Sequence, residues 1–130
     1  MPIRVVRLGS PRAPGEGLRL GTVRHPPRGV PRAQLAARDF YDVWFPTLAP
    51  SAAAVKAGRA AGGSPAAWKA FARRYRKEMK APEARHALDL LAALSRTTSL
   101  AVGCFCEDEA RCHRSILRAL LVERGAEVAP

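Results

Sequence analysis

Hydrophobic and polar positions change their spacing several times along the chain, and each change marks an element. Residues 3–8, IRVVRL, and 18–23, LRLGTV, are short β-prone runs, and the SPRAPGEG between them is dense in turn formers. This pattern predicts two strands joined by a loop. RHPPRGVPR at 24–32 carries three Pro, one Gly and three Arg. Proline rings lack an N–H and cannot extend a helix or a strand ladder, so a stiff cationic loop is expected. FYDVWFP at 40–46 stops at Pro46 and suits either an extended piece or one helical turn.

Helical spacing begins after Pro50. Ser51 is a suitable N-cap for SAAAVKAGRAA, which Gly62 and Gly63 terminate. Ser64 opens a second helix with Pro65 at its first position, and Trp68, Phe71, Tyr75 and Met79 fall on one face as an expected core stripe. Arg73, Arg74, Arg76, Lys77 and Lys80 surround that stripe as a solvated face. A third helix is expected from Pro82 to Ser95, burying Ala87, Leu88, Leu91 and Leu94, with His86 in it as a surface or structural residue. TSLAVGCF at 98–105 is a nearly unbroken apolar run, the mark of a central strand covered on both faces. After the acidic turn CEDEA, RCHRSILRALLVER predicts a helix with Ile116, Leu117, Leu120 and Leu121 inward and Gly125 closing it; AEVA at 126–129 is a candidate final strand. The elements predict one α/β domain over 1–130, a small parallel or mixed sheet flanked by helices.

Charge narrows the choice of ligands. The chain has 22 basic against 11 acidic residues, a formal net charge of +11, and 18 of the basic residues are Arg. Eight of these lie in residues 1–38, where Glu16 is the one acid, so the N-terminal third is the expected anion-facing region. No apolar run approaches the roughly 18 residues of a membrane span, and Arg4 and Arg7 interrupt the start where a secretory signal would be apolar; a cytoplasmic protein is expected. Cys104, Cys106 and Cys112 are an odd number within nine positions, which reads as thiols rather than a disulfide framework.

Those cysteines sit where α/β sheets bind ligands, beyond the carboxyl end of a strand and at the start of a helix. Cys104 and Cys106 are two apart, so on an extended segment both thiols project to one side. Cys112, His113 and Arg114 fall near the first helical turn, where a thiol is acidified and an anion held. Three readings compete. In the first, Cys106 or Cys112 is a nucleophile, His113 carries a proton and Arg114 holds an anionic substrate, although Glu107, Asp108 and Glu109 would oppose the anion. In the second, Cys104, Cys106, Cys112 and His113 form the three-thiolate, one-imidazole set that zinc prefers. Adjacent helical residues diverge by about 100 degrees, which argues against Cys112 and His113 converging. In the third, the thiols are small buried hydrophobes and the charged groups serve the helix ends.

GLRLGTVRHPPRGV (17–30), LAPS (48–51), WKAFARRYRKEM (68–79) and GCFCEDEARCHRSILRALL resemble, in that order, the bacterial family known as domain of unknown function 488, including its YeaO-like branch. Its most specific parts are the pattern of Arg24, Pro27, Arg28 and Gly29 and the CxC followed by Cys-His-Arg. The resemblance implies an α/β fold of Rossmann-like or flavodoxin-like layering, with Arg19, Arg24 and Arg28 near the 104–114 loop in one pocket. The family pattern has Asp where this chain has Val23, and Trp where it has Pro26. No cofactor is implied. The leading expectation is a cationic, thiol-containing pocket that binds a small phosphorylated or nucleotide-like ligand, with chemical modification of that ligand left open. The alternative is a non-enzymatic nucleic-acid-binding module using Arg4, Arg7, Arg12, Arg32 and the helix over 64–80.

Overall fold

The computed structural model describes residues 2–106 and 111–130. Among these residues four strands form one parallel sheet: β1 (Ile3–Arg7), β2 (Leu18–Gly21), β3 (Val43–Trp44) and β4 (Leu100–Cys104). Their order is β1-β4-β2-β3, with Val5 opposite Val102 and Leu20 opposite Val102 across the two flanks of β4. The apolar run at 98–105 is therefore the central strand, every residue of β4 being buried. β1 and β2 are not neighbours, because β4 inserts between them. The 40–46 stretch holds the extended form, the two-residue β3, and a 3-10 turn over Pro46–Leu48 follows it. AEVA contributes a single parallel bridge, Val128 to Ile3.

The helices are α1 (Ala52–Arg59), α2 (Pro65–Glu78), α3 (Pro82–Leu94) and α4 (His113–Glu123). Their starts follow from side-chain capping: the Ser51 hydroxyl accepts from the Ala54 N–H and the Ser64 hydroxyl from that of Ala67, each satisfying a donor the helix leaves open. Among the described residues, no helix is long and apolar enough to cross a membrane.

The two faces of the sheet are covered differently. Ile3, Leu20, Leu100 and Val102 join Phe71 and Tyr75 of α2, Met79 at its C-cap, Leu88 and Leu91 of α3, and Leu117 and Leu121 of α4 in the main core. Burying each such side chain is worth about 1.5–3 kcal/mol, so this cluster is the main source of stability. The Trp68–Phe71–Tyr75 stripe stacks along α2, as its spacing required. On the opposite face loops take the place of helices. Tyr41 lies flat against β2 at Gly21, where an added Cβ would stand 2.4 Å from the ring, so only glycine admits it. Leu8, Val23, Leu35 and Tyr41 form a second cluster there, and Cys104 and Cys112 belong to it.

Candidate functional site at the carboxyl end of the central strand

β2 and β4 end side by side, and α4 begins directly beyond them. The Thr22 N–H and hydroxyl both donate to the Gly103 carbonyl, at 3.0 and 2.9 Å, which locks the two strand ends together. His113, the first residue of α4, then donates from Nε2 to the Thr22 carbonyl at 2.8 Å. A carbonyl only accepts, so this bond places the imidazole proton on Nε2 and leaves the Nδ1 lone pair toward the Cys112 sulfur, 3.7 Å away. The ring also stands edge-on to buried Tyr75, with centroids 5.4 Å apart. Burial pushes the His113 pKa down to about 4, against the opposing effect of the Thr22 carbonyl, so the imidazole is neutral at neutral pH.

The three thiols converge from both sides of the strand-to-helix turn. Cys104 and Cys112 are buried, with their sulfurs 2.6 Å apart, and the Sγ atoms of Cys104, Cys106 and Cys112 all lie within 4.8 Å of one another. Hydrogen bonding to Cys106 and Cys112, together with burial, raises the Cys104 thiol far above its ordinary range. Cys106, the exposed member, is the acidic one: donation from Cys104 and then Cys112 holds it well below the ordinary thiol range against the opposing effect of burial, and the Arg114 guanidinium adds to the effect. Arg114 itself is buried and donates from Nη2 to the Cys106 carbonyl at 2.5 Å, tying the first turn of α4 back to the end of β4. The acidic triplet Glu107, Asp108 and Glu109 lies outside the described residues.

A cavity of about 150 Å³ opens beside this turn. Cys106 and His113 form one wall, Val55, Trp68 and Phe71 an apolar wall, and the guanidinium-bearing residues Arg59 and Arg111 also line it. The thiol and imidazole thus share a cavity with cationic side chains, but not with those the sequence pointed to.

The family model described as the active DUF488-N3 subclade, DUF488-N3a, matches residues 3–125. The chain is a DUF488 protein. No curated protein and no solved structure matches it.

Within this DUF488 fold the early arginines go to three different places. Arg19 projects from β2 to the loop-covered face and is fully buried, donating from Nε and Nη2 to the two Glu16 carboxylate oxygens at 2.8 and 2.9 Å and from Nη1 to the Ser10 and Asp39 carbonyls. Its guanidinium is part of the interior. Arg24 donates to the Ala49 and Pro50 carbonyls at 3.0 and 3.2 Å, and since Pro50 lines the cavity, Arg24 braces the cavity wall from outside. Arg28 is exposed on the proline-rich loop. Val23 is buried in the second apolar cluster. Pro26 lines a separate cleft of about 750 Å³ together with Arg32, Tyr41 and Trp44, and this larger cleft shares no lining residue with the cavity at Cys106.

Helical divergence does not separate Cys112 from His113 at the start of α4. Cys112 is the N-cap of α4 with φ −126° and ψ 153°, an extended conformation, so the roughly 100-degree step between helical neighbours begins only after it. Arg59 and Arg111 were missed by sequence reasoning. Arg111 directly precedes the Cys-His-Arg run and could have been found by extending that motif by one residue. Arg59 carries no such signal, lying at the end of an Ala-rich helix.

Proposed function

We propose that this DUF488 protein binds a small phosphorylated anion, holding its phosphoryl end in the cavity between Cys106, His113, Arg59 and Arg111. The observation that carries this reading is the shared cavity: two guanidinium-bearing residues line the same 150 Å³ space as a thiol and a neutral imidazole. Guanidinium forks match phosphate oxygens in geometry and charge, and the chain's +11 net charge favours approach of anions. Volume limits the ligand. At about 30 Å³ per water, the cavity has room for roughly five waters, which suits a phosphoryl group, whereas pockets that enclose whole drug-sized ligands start at about 300 Å³. A nucleoside or sugar would therefore rest outside, and Cys106 is the thiol that a seated anion can touch.

The nucleic-acid reading is weaker on the same grounds. Arg12 is engaged by Asp39 and Asp42, Arg74 by Glu78 and Arg76 by Glu123, so three cations of the proposed basic surface are held in intramolecular pairs.

Thermal unfolding with inorganic phosphate and with a nucleoside monophosphate tests the proposal. Both ligands should raise the melting temperature, because a ligand at 100 times its Kd stabilises the native state by about 2.7 kcal/mol. The Arg59→Ala, Arg111→Ala double variant alters two exposed side chains. It should fold normally and lose the response. An unchanged response in that variant, or no response in the parent protein at millimolar phosphate, would overturn the reading.

A further inference from the structure

Beyond anion binding, we propose that Cys104, Cys106, Cys112 and His113 form a closed tetrahedral site for a soft divalent ion of the zinc class, which pins the end of β4 to the start of α4.

Four observations from different parts of the fold support the site. The three sulfurs already lie within 4.8 Å of one another, although they come from two segments, the end of β4 with Cys106 just beyond it and the N-cap of α4. The imidazole of His113 stands outside the three-sulfur group but beside Cys112, and would supply the fourth donor in the required form. Its Nε2–H is committed to the Thr22 carbonyl at 2.8 Å, and metal-bound histidines characteristically donate their second ring nitrogen to such an acceptor, which fixes the tautomer and aims the other lone pair. With zinc–sulfur bonds of about 2.3 Å and zinc–nitrogen bonds of about 2.0 Å, tetrahedral geometry sets ligand separations of about 3.7 Å between sulfurs and about 3.5 Å between sulfur and nitrogen. Cys112 Sγ and His113 Nδ1 stand 3.7 Å apart, close to that value. The Cys104 and Cys112 sulfurs, at 2.6 Å, need only part by about 1 Å to admit an ion, a rotation of two small side chains.

Charge is accommodated as well. Three thiolates and a divalent ion leave one net negative charge, and the buried Arg114 beside the Cys106 carbonyl and the positive end of the α4 dipole at Cys112 both face it. On binding, each sulfur that still carries a proton transfers it to water as its sulfur–metal bond forms, while His113, whose ring proton sits on Nε2, gives up none; no electron is transferred. With all four positions filled by protein the ion is structural, and it makes Cys106 a ligand on the cavity wall.

The test uses the untagged, full-length protein purified without chelator and kept reduced with a phosphine. Elemental analysis should find close to one zinc per chain, and apo-protein titrated with Co(II) should give the intense visible bands of a tetrahedral centre with thiolate-to-cobalt charge transfer. Cys112→Ser and His113→Gln should each lose the ion to a competing chelator that the parent protein resists. Because either variant could fail to fold, Cys106→Ser, at an exposed position, is the decisive third. It should stay folded, weaken binding and remove part of the charge-transfer intensity. Octahedral or absent cobalt bands in the reduced parent protein, or full metal retention in Cys106→Ser, would overturn the site. The phosphate response of the Arg59, Arg111 variant is read separately, so loss of one proposal leaves the other standing.

Discussion

Replacing Arg19 with Met should cost this protein about 3–5 kcal/mol of stability. The side chain is fully buried, and four hydrogen bonds hold its guanidinium: two to the Glu16 carboxylate at 2.8 and 2.9 Å and two to the Ser10 and Asp39 carbonyls at 2.9 and 2.6 Å. Hydrogen bonds to charged groups contribute about 1.5–3 kcal/mol each, but moving the ion pair out of water costs several kcal/mol per ion, so the assembled pair is close to neutral in net terms. Removing one partner is different. Glu16, itself 3% exposed, would keep only the Ala13 N–H and the Arg12 charge to balance it, and breaking such a buried pair costs about 3–5 kcal/mol. Against a total stability of about 5–15 kcal/mol, that loss leaves a marginal fold. In urea unfolding followed by circular dichroism, a slope near 2 kcal/mol/M converts it into a midpoint lowered by about 1.5–2.5 M. The Arg19→Met, Glu16→Leu double variant should recover part of the loss, because it leaves no orphaned charge, while Arg28→Ala at the exposed loop should stay within about 0.5 kcal/mol of the parent. A shift below about 0.5 M for Arg19→Met would refute the assignment of Arg19 to the interior and return it to the pool of ligand-binding cations.

Two further outcomes follow from buried polar groups. Burial pushes the Glu16 carboxyl up, but the Arg19 hydrogen bond, the Ala13 N–H and the charges of Arg19 and Arg12 together hold it below its ordinary 4.5. A depressed carboxyl stabilises the fold above its unfolded-state pKa, so that contribution should be complete above about pH 5.5 and fade as pH falls through the folded-state value below 4.5; urea midpoints from pH 7 to 3 should show this loss, and a midpoint that rises on acidification would contradict it. Tyr75→Phe removes the hydroxyl that donates to the Leu48 carbonyl at 2.6 Å inside the core, which should cost about 1–3 kcal/mol by the same assay; an effect within 0.5 kcal/mol would mean that the carbonyl has another partner.

Local signals in the sequence located most elements, because their causes are local. Ser51 and Ser64 mark helix starts through bonds three residues ahead, and the apolar run of β4 reports a strand covered on both sides. Strand order was not legible. β1 and β2 look like consecutive partners along the chain, yet β4, some 80 residues later, separates them, and nothing in either short strand encodes which neighbour it will find. Arg19 was misleading for a related reason. An arginine in a basic N-terminal third has the composition of an anion site, and only the register of β2, with Leu20 directed to the main core, sends residue 19 to the opposite face and onto Glu16.

The same contrast separates the two halves of the candidate site. Its sulfur and imidazole half is written in one short segment and could be read directly, since a strand end, a turn and a helix start fall within 104–113. The cationic half depends on how two helices dock. Gly58 in α1 lies against Phe71 of α2, where an added Cβ would stand 3.1 Å from the Phe71 Cβ, so α1 packs at a distance that a larger residue would widen. Gly58 and its neighbour Arg59 both line the cavity, as do Phe71 and Trp68 of α2. The small residue next to Arg59, rather than any charge pattern, is therefore what brings that guanidinium to the cavity. A chain that lost this close approach would keep its thiol cluster intact and lose half of the cationic lining.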